Sequence, residues 1–183
     1  CEAVGGKYIK LSPSSKDCIN FMEIRKTSLD PDKALGRLSD RDDSLLADKI
    51  SALHAFFALR KPDATEEQRN YLDEALVRCY ANFGITEENE SLTDENGQRK
   101  SMPTFADLYE VLQERAETQC YAAVLLRFVK GSARSLGGQT NVDLDASYVV
   151  IDISEIGKDL VGEGMLIGSE YAYDTFKEDR LHK

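Results

Sequence analysis

The hydrophobic period changes twice along the chain, and those two changes restrict the fold more than any single motif does. Residues 7–11 alternate, Lys7, Ile9 and Leu11 against Tyr8 and Lys10, which predicts a short strand ended by Ser12-Pro13-Ser14-Ser15. From about residue 31 to about 130 the apolar residues recur instead at three and four. Strand character then returns in Tyr148-Val149-Val150-Ile151-Asp152-Ile153, whose continuous, β-branched run predicts a buried parallel strand. A strand followed by a helix asks for a further parallel strand to complete its crossover. The expected fold is therefore mostly α with a small β part, an all-helical lobe set between two strands of a larger α/β sheet.

The helical stretch divides at its own punctuation. Asp30-Pro31 suits an N-cap and first helical position. Leu35, Leu38, Leu45, Leu46, Ile50, Leu53, Phe56 and Phe57 form the first stripe, which Lys61-Pro62-Asp63 stops. Thr65-Glu66-Glu67-Gln68 has the form of a capping box, and Gly84 closes the helix that carries Tyr71, Leu72, Ala75, Leu76, Cys79, Tyr80 and Phe83 inward. Residues 86–100 have no apolar period and contain Asn96-Gly97, a loop or hairpin tip. Pro103-Thr104 opens a third helix, and a fourth runs from about Thr118 to Gly131. After a polar loop and the second strand, residues 158–180 read as a last helix with Leu160, Val161, Met165, Leu166, Ile167, Tyr171 and Phe176 available for burial. Its Gly162, Gly164 and Gly168 leave room for close packing on a sheet.

Composition narrows the functions. Hydrophobic residues make up 42% and charged residues 31%, enough for a core and a solvated surface. No apolar run approaches the ~20 residues that span a bilayer. The net charge of −10 argues against strong direct nucleic-acid binding, which collects Lys and Arg on one surface. Cys1, Cys18, Cys79 and Cys120 lie far apart, a pattern of reduced thiols in a cytoplasm. Cys1 itself admits two readings. It is the lipid-bearing residue of a stand-alone helical binding or lipid-anchored adaptor module, or the chain begins in the middle of a longer protein. The strand that follows at once favours the second.

No glycine-rich loop with a following lysine is present to wrap a phosphate, and Gly137-Gly138-Gln139-Thr140 lacks both the spacing and the lysine, so ATP turnover by this chain alone is not expected. Residues 148–152 imitate the strand that presents a magnesium-organising Asp, which makes Asp152 the candidate metal ligand; the plainer reading is a strand-end carboxylate capping a turn. Asp143 and Asp145 could join it in a magnesium cluster. His54 and His182 have no Ser or Cys partner at triad spacing. The loop 131–143 combines small residues, Arg134, and the side-chain donors Thr140 and Asn141, which are the candidates for cofactor contact. Because it precedes its strand, it belongs by rule at the edge opposite the strand C-terminal ends, as a hinge or a subunit contact. Arg134 is either an arginine finger toward a neighbouring protomer's nucleotide or a helix-end residue on terminal carbonyls.

Several of these segments, taken in order, resemble a known family. Gly5-Gly6-Lys7-Tyr8-Ile9-Lys10-Leu11-Ser12-Pro13, Asp17-Cys18-Ile19-Asn20-Phe21-Met22-Glu23-Ile24 and Met102-Pro103-Thr104-Phe105-Ala106-Asp107-Leu108 are similar to stretches of the type IV secretion, or conjugative transfer, ATPases of CagE/TrbE type. So are Gly131-Ser132, Thr140-Asn141-Val142-Asp143-Leu144, Val149-Val150-Ile151-Asp152-Ile153 and Gly164-Met165-Leu166. Asn20-Phe21 departs from the family's common Asn-Pro, and Leu136-Gly137-Gly138 from a more aromatic and polar run. The resemblance implies a RecA-like P-loop NTPase core, with residues 1–30 and 132–183 in the α/β motor domain and 31–131 as an inserted helical lobe. It implies ATP and Mg2+ as cofactors of the whole motor, with the Walker A loop before Cys1 and the Walker B strand after Lys183. It also implies assembly with other protomers and with secretion-channel components, at the cytoplasmic face of the bacterial membrane, to drive pilus biogenesis or substrate transfer, including conjugative DNA transfer such as that of a conjugative transposon.

Overall fold

A computed structural model describes residues 6–25, 44–142 and 148–180, with side chains to residue 172. The expectations placed on Cys1, on the Asp30-Pro31 cap, on Leu35 and Leu38, on Asp143 and Asp145, on Phe176 and on His182 lie outside the described residues or side chains.

The two strands lie where alternation places them, β1 over Lys7–Lys10 and β2 over Val149–Asp152. They pair in parallel, Lys7 opposite Val149 and Ile9 opposite Ile151. The ladder extends at both ends through Lys7 N–H to the Tyr148 carbonyl at 2.8 Å and Leu11 N–H to the Asp152 carbonyl at 2.9 Å. Parallel partners share a face, so Ile9, Val149 and Ile151 turn inward together while Tyr8, Tyr148 and Val150 turn outward. The expectation of a buried second strand is corrected here: β2 is only half-buried, and Tyr148 is 56% exposed. Among the described residues the sheet has these two strands alone, so one face and the strand edges lack the cover that parallel sheets ordinarily receive.

Among the described residues four α-helices lie between the strands, α1 (Leu45–Arg60), α2 (Glu66–Ala81), α3 (Phe105–Gln113) and α4 (Gln119–Val129); α5 (Val161–Arg180) follows β2. Their ends follow the side chains available. Ser44 caps α1 by accepting from Ala47 N–H at 3.3 Å. The capping box of α2 forms, Gln68 N–H on Thr65 Oγ1 at 3.2 Å and Thr65 N–H on Gln68 Oε1 at 3.1 Å. Gly84 closes it with φ of 69°, letting Ile85 N–H reach back to the Tyr80 carbonyl at 3.1 Å. Thr104 opens α3 with its N–H on Asp107 Oδ2 at 2.8 Å. Residues 93–99 form a hairpin tip through an antiparallel bridge between Thr93 and Arg99, and Leu92, preceding it, is buried.

The core is an aromatic knot that belongs to the helices. The Phe56 ring of α1 lies 5.0 Å from Phe105, 5.4 Å from Phe57 and Phe128 and 5.6 Å from Phe21. Burial of each such ring contributes about 1.5–3 kcal/mol, and edge-to-face pairs add about 0.5–1.5 kcal/mol. α5 packs on α1, burying Ile167 and Tyr171, with Leu160 buried just before it, but leaves Met165 58% exposed, against the expectation of its burial. Its glycines divide: a Cβ on Gly164 would meet Ile156 Cδ1 at 2.5 Å, whereas one on Gly168 would meet nothing within 4 Å.

Candidate functional site: a clamp between the two strand connections

Chain leaving β1 and chain approaching β2 are tied together by side chains, and the tie contains two of the candidate residues. Cys18 N–H donates to Asn141 Oδ1 at 2.8 Å, and Asn141 N–H returns to the Cys18 carbonyl at 3.2 Å. Asn141 Nδ2 donates to the Lys16 carbonyl at 2.6 Å. Two residues on, Asn20 N–H donates to Thr140 Oγ1 at 2.9 Å, and the same hydroxyl donates to Glu23 Oε2 at 2.5 Å. Thr140 thus uses its one proton and accepts a bond as well. Asn20, 4% exposed, donates from Nδ2 to the Pro103 carbonyl at 2.9 Å and to Gln139 Oε1 at 3.3 Å, while Oδ1 accepts Met22 N–H at 3.0 Å. Gln139 Nε2 reaches the Met102 carbonyl at 2.7 Å. Three segments far apart in sequence, 16–23, 102–103 and 139–141, therefore meet at Asn20.

The start of the loop is fixed as tightly. Ala133 and Leu136 are fully buried, and Ala133 N–H caps the Arg127 carbonyl at 3.1 Å. A Cβ on Gly137 would lie 2.5 Å from the Phe128 carbonyl oxygen, so the chain can turn back over α4 only with glycine there. Ser135 Oγ donates to the Ser12 carbonyl at 2.6 Å. Ser12 is just past the C-terminal end of β1, so the loop sits at that end of the sheet and not at the opposite edge that chain order suggested. Strand C-terminal ends are where α/β sheets meet ligands.

The other candidates stand apart from the clamp. Arg134 is exposed, with Nη2 at 3.5 Å from the Lys130 carbonyl at the end of α4. Among the described residues it shares no hydrogen bond with Thr140, Asn141 or Asp152. Asp152 accepts from the Tyr8 hydroxyl and, at Oδ1, from Ser154 N–H at 2.8 Å. The Tyr8 hydrogen bond, reinforced by Ser154, lowers its carboxyl to about 2, and the same bond raises the Tyr8 phenol above its ordinary value. Asp152 thus caps the turn beyond its own strand. Among the described residues no three His, Cys, Asp or Glu side chains converge as metal ligands.

Several residues here carry no motif. Lys49 is 6% exposed, pairing with Glu170 of α5 and donating to the Phe21 carbonyl at 3.2 Å. Glu163, also buried, pairs with Arg60 of α1. Arg127 of α4 pairs with Asp159 just before α5. A signal for Lys49 exists in the sequence: with Leu45 and Leu53 four residues to either side, it is a cation on the apolar stripe. Asn20 and Glu23 offer no comparable signal, because Thr140, the partner they share, is more than a hundred positions away.

Among the described residues the fold is mostly helical, with a small two-stranded parallel sheet whose strands flank four α-helices and with the 131–142 loop at the C-terminal end of β1. No family model and no curated relative matches the chain. Among solved structures it is similar to VirB4 of Thermoanaerobacter pseudethanolicus, at 27% identity and a TM-score of 0.74, over 98% of this chain and 65% of that one. The resemblance to type IV secretion ATPases seen in the motifs thus holds for the fold across nearly the whole chain.

Proposed function

We propose that the chain is the part of a type IV secretion ATPase between its phosphate-binding loop and its magnesium-organising strand, and that it does not hydrolyse ATP by itself. The observation that carries this reading is the parallel β1–β2 pair, whose outer face and edges are open while its fold matches a VirB4 over nearly its full length. In this reading residues 1–30 and 132–183 belong to a RecA-like motor domain, and residues 31–131 are its inserted lobe. The flanking parts of the motor supply further strands, the cover for Tyr8 and Tyr148, and the groups that hold ATP and Mg2+. Thr140, Asn141 and Asp152 then act by shaping the strand ends, and Arg134, exposed beside them in sequence, is the group free to reach a neighbouring protomer's nucleotide. The motor works at the cytoplasmic face of the membrane through secretion-channel partners, transferring protein or, in conjugation, DNA. No helix among the described residues is long and apolar enough to cross a membrane.

Calorimetric titration of the chain with ATP and Mg2+ tests the first half: no binding heat and no phosphate release are expected, and turnover above a buffer blank contradicts the proposal. The flanking coding sequence tests the second. A glycine-rich loop with lysine on one side and an apolar strand ending in Asp-Glu on the other are expected; an open reading frame without them overturns it.

A further inference from the structure

Tyr121 of α4 is 1% exposed, yet its hydroxyl has no hydrogen-bond partner among the described residues. Buried phenols nearly always find one, so an unmatched donor marks a place built for an acceptor. The ring is held edge-on by Phe57, 5.2 Å between centroids, and forms part of the wall of a cleft between α1, α2 and α4. The cleft is open on one side and offers about 370 Å³, within the size range of small-molecule sites.

Its lining is apolar except for donors. Ala58, Ala64 and Leu72 supply the walls, and the polar side chains are Lys61, Arg69, His54 and Tyr121, whose hydroxyl is itself closed to solvent; among the described residues no carboxylate lines it. Burial raises the Tyr121 phenol, which keeps its proton in place. The cations do have acidic partners, Lys61 with Asp63 at 3.1 Å, Arg69 with Glu66 at 3.5 Å and His54 with Asp73 at 3.0 Å. Those acids are 77%, 82% and 55% exposed, and ion pairs so open to water are weak enough to be exchanged.

We propose that this cleft binds a small organic carboxylate, its apolar body against Leu72 and Ala58 and its carboxylate between Arg69, Lys61 and the Tyr121 hydroxyl. Arg69 offers a planar fork matched to two oxygens, and Lys61 adds a movable charge at the rim. The hydroxyl is closed to solvent in the free protein, so a carboxylate reaches it only when the groups that cover it shift. The inference concerns the helical lobe alone and stands or falls separately from the motor reading.

The test is an NMR titration of the whole chain with phenylacetate and 4-methylpentanoate, following the Leu72 methyls and the Tyr121 ring. Phenylacetamide serves as a neutral control of the same shape. Saturable shifts with a Kd of about 1 mM or tighter are expected for at least one acid. The amide, and the acid on Tyr121→Phe, bind about tenfold more weakly, which corresponds to about 1.4 kcal/mol. Ala58→Trp, which fills the cleft from an exposed wall, abolishes the shifts while the rest of the spectrum stays folded. No saturable shift, an amide that binds as well as the acid, or Tyr121→Phe binding unchanged would each overturn the proposal.

Discussion

The helical lobe and the sheet solve the burial problem differently. In the lobe every element meets another apolar surface: Phe56, Phe57, Phe105, Tyr121 and Phe128 come from three helices and are all 2% exposed or less. In the sheet only one face is served. Ile9 and Leu11 are buried, but Tyr8 is 51% and Tyr148 56% exposed on the other side. The lobe is held by non-directional packing, which tolerates small shifts, while the sheet joins that core through one face, by Ile9 and Leu11, and through the hydrogen bonds of the clamp, whose partners must be in register. Parallel sheets ordinarily have both faces covered. In the proposed reading the lobe is therefore self-sufficient and the sheet is the surface that joins the rest of the motor.

The largest effect that probes this contrast is expected at the centre of the knot. Phe56→Ala removes a ring packed on four others and costs about 3–5 kcal/mol, read from urea denaturation. By comparison Tyr148→Ser, on the open face, shifts stability by less than about 0.5 kcal/mol in the same assay. Equal costs would erase the distinction between the two regions.

Next comes the clamp. Asn20→Ala leaves the Pro103 carbonyl and Met22 N–H without their partner, a loss of about 1–3 kcal/mol. It also loosens Cys18, whose sulfur is buried against Gly138. In the native chain Cys120, partly exposed, is expected to react with a thiol reagent before Cys18 or Cys79; burial pushes the Cys79 thiol up to about 12. Asn20→Ala accelerates labelling of Cys18 but not of Cys79, as mass spectrometry of the modified peptides can show. Parallel acceleration of both would mean that the clamp and the lobe open as one.

The smallest effect lies on the sheet's open face. Tyr8→Phe removes the main cause of the lowered Asp152 carboxyl, so its midpoint rises from about 2 toward the ordinary carboxylate value, followed by NMR titration. A carboxyl lowered in the folded state stabilises above its unfolded value, and that contribution is lost as pH falls toward about 2. Wild type therefore loses this stabilisation on acidification across that window, and Tyr8→Phe, having less of it, changes less there. An unmoved Asp152 midpoint would place the cause in Ser154 instead.

Much of this was legible in the residues because it is local. Thr65 and Gln68 announce their capping box at a spacing of three, Gly84 its closure, and the alternation of residues 7–11 its strand. The pair is parallel as expected, although the burial from which that sense was argued did not hold. What escaped is non-local: Asn20 and Thr140 recognise each other across the whole lobe, and no periodicity encodes such a pair. The exposure of Tyr148 escaped for a different reason. Apolar continuity reports what a strand is made to bury, and here the described residues cover one face only. The position of the 131–142 loop at the strand C-terminal end depended on where Ser135 meets Ser12, which chain order alone does not convey.

Native-state hydrogen exchange measures the contrast most directly. The account predicts that amides in the middle of α1 and α4 exchange only through global unfolding, while those of β1 and β2 exchange through a cheaper opening that releases the sheet and its clamp from an intact lobe. Strand amides protected as strongly as those around Phe56 and Leu125 would contradict it, and would make the sheet a finished part of one closed fold.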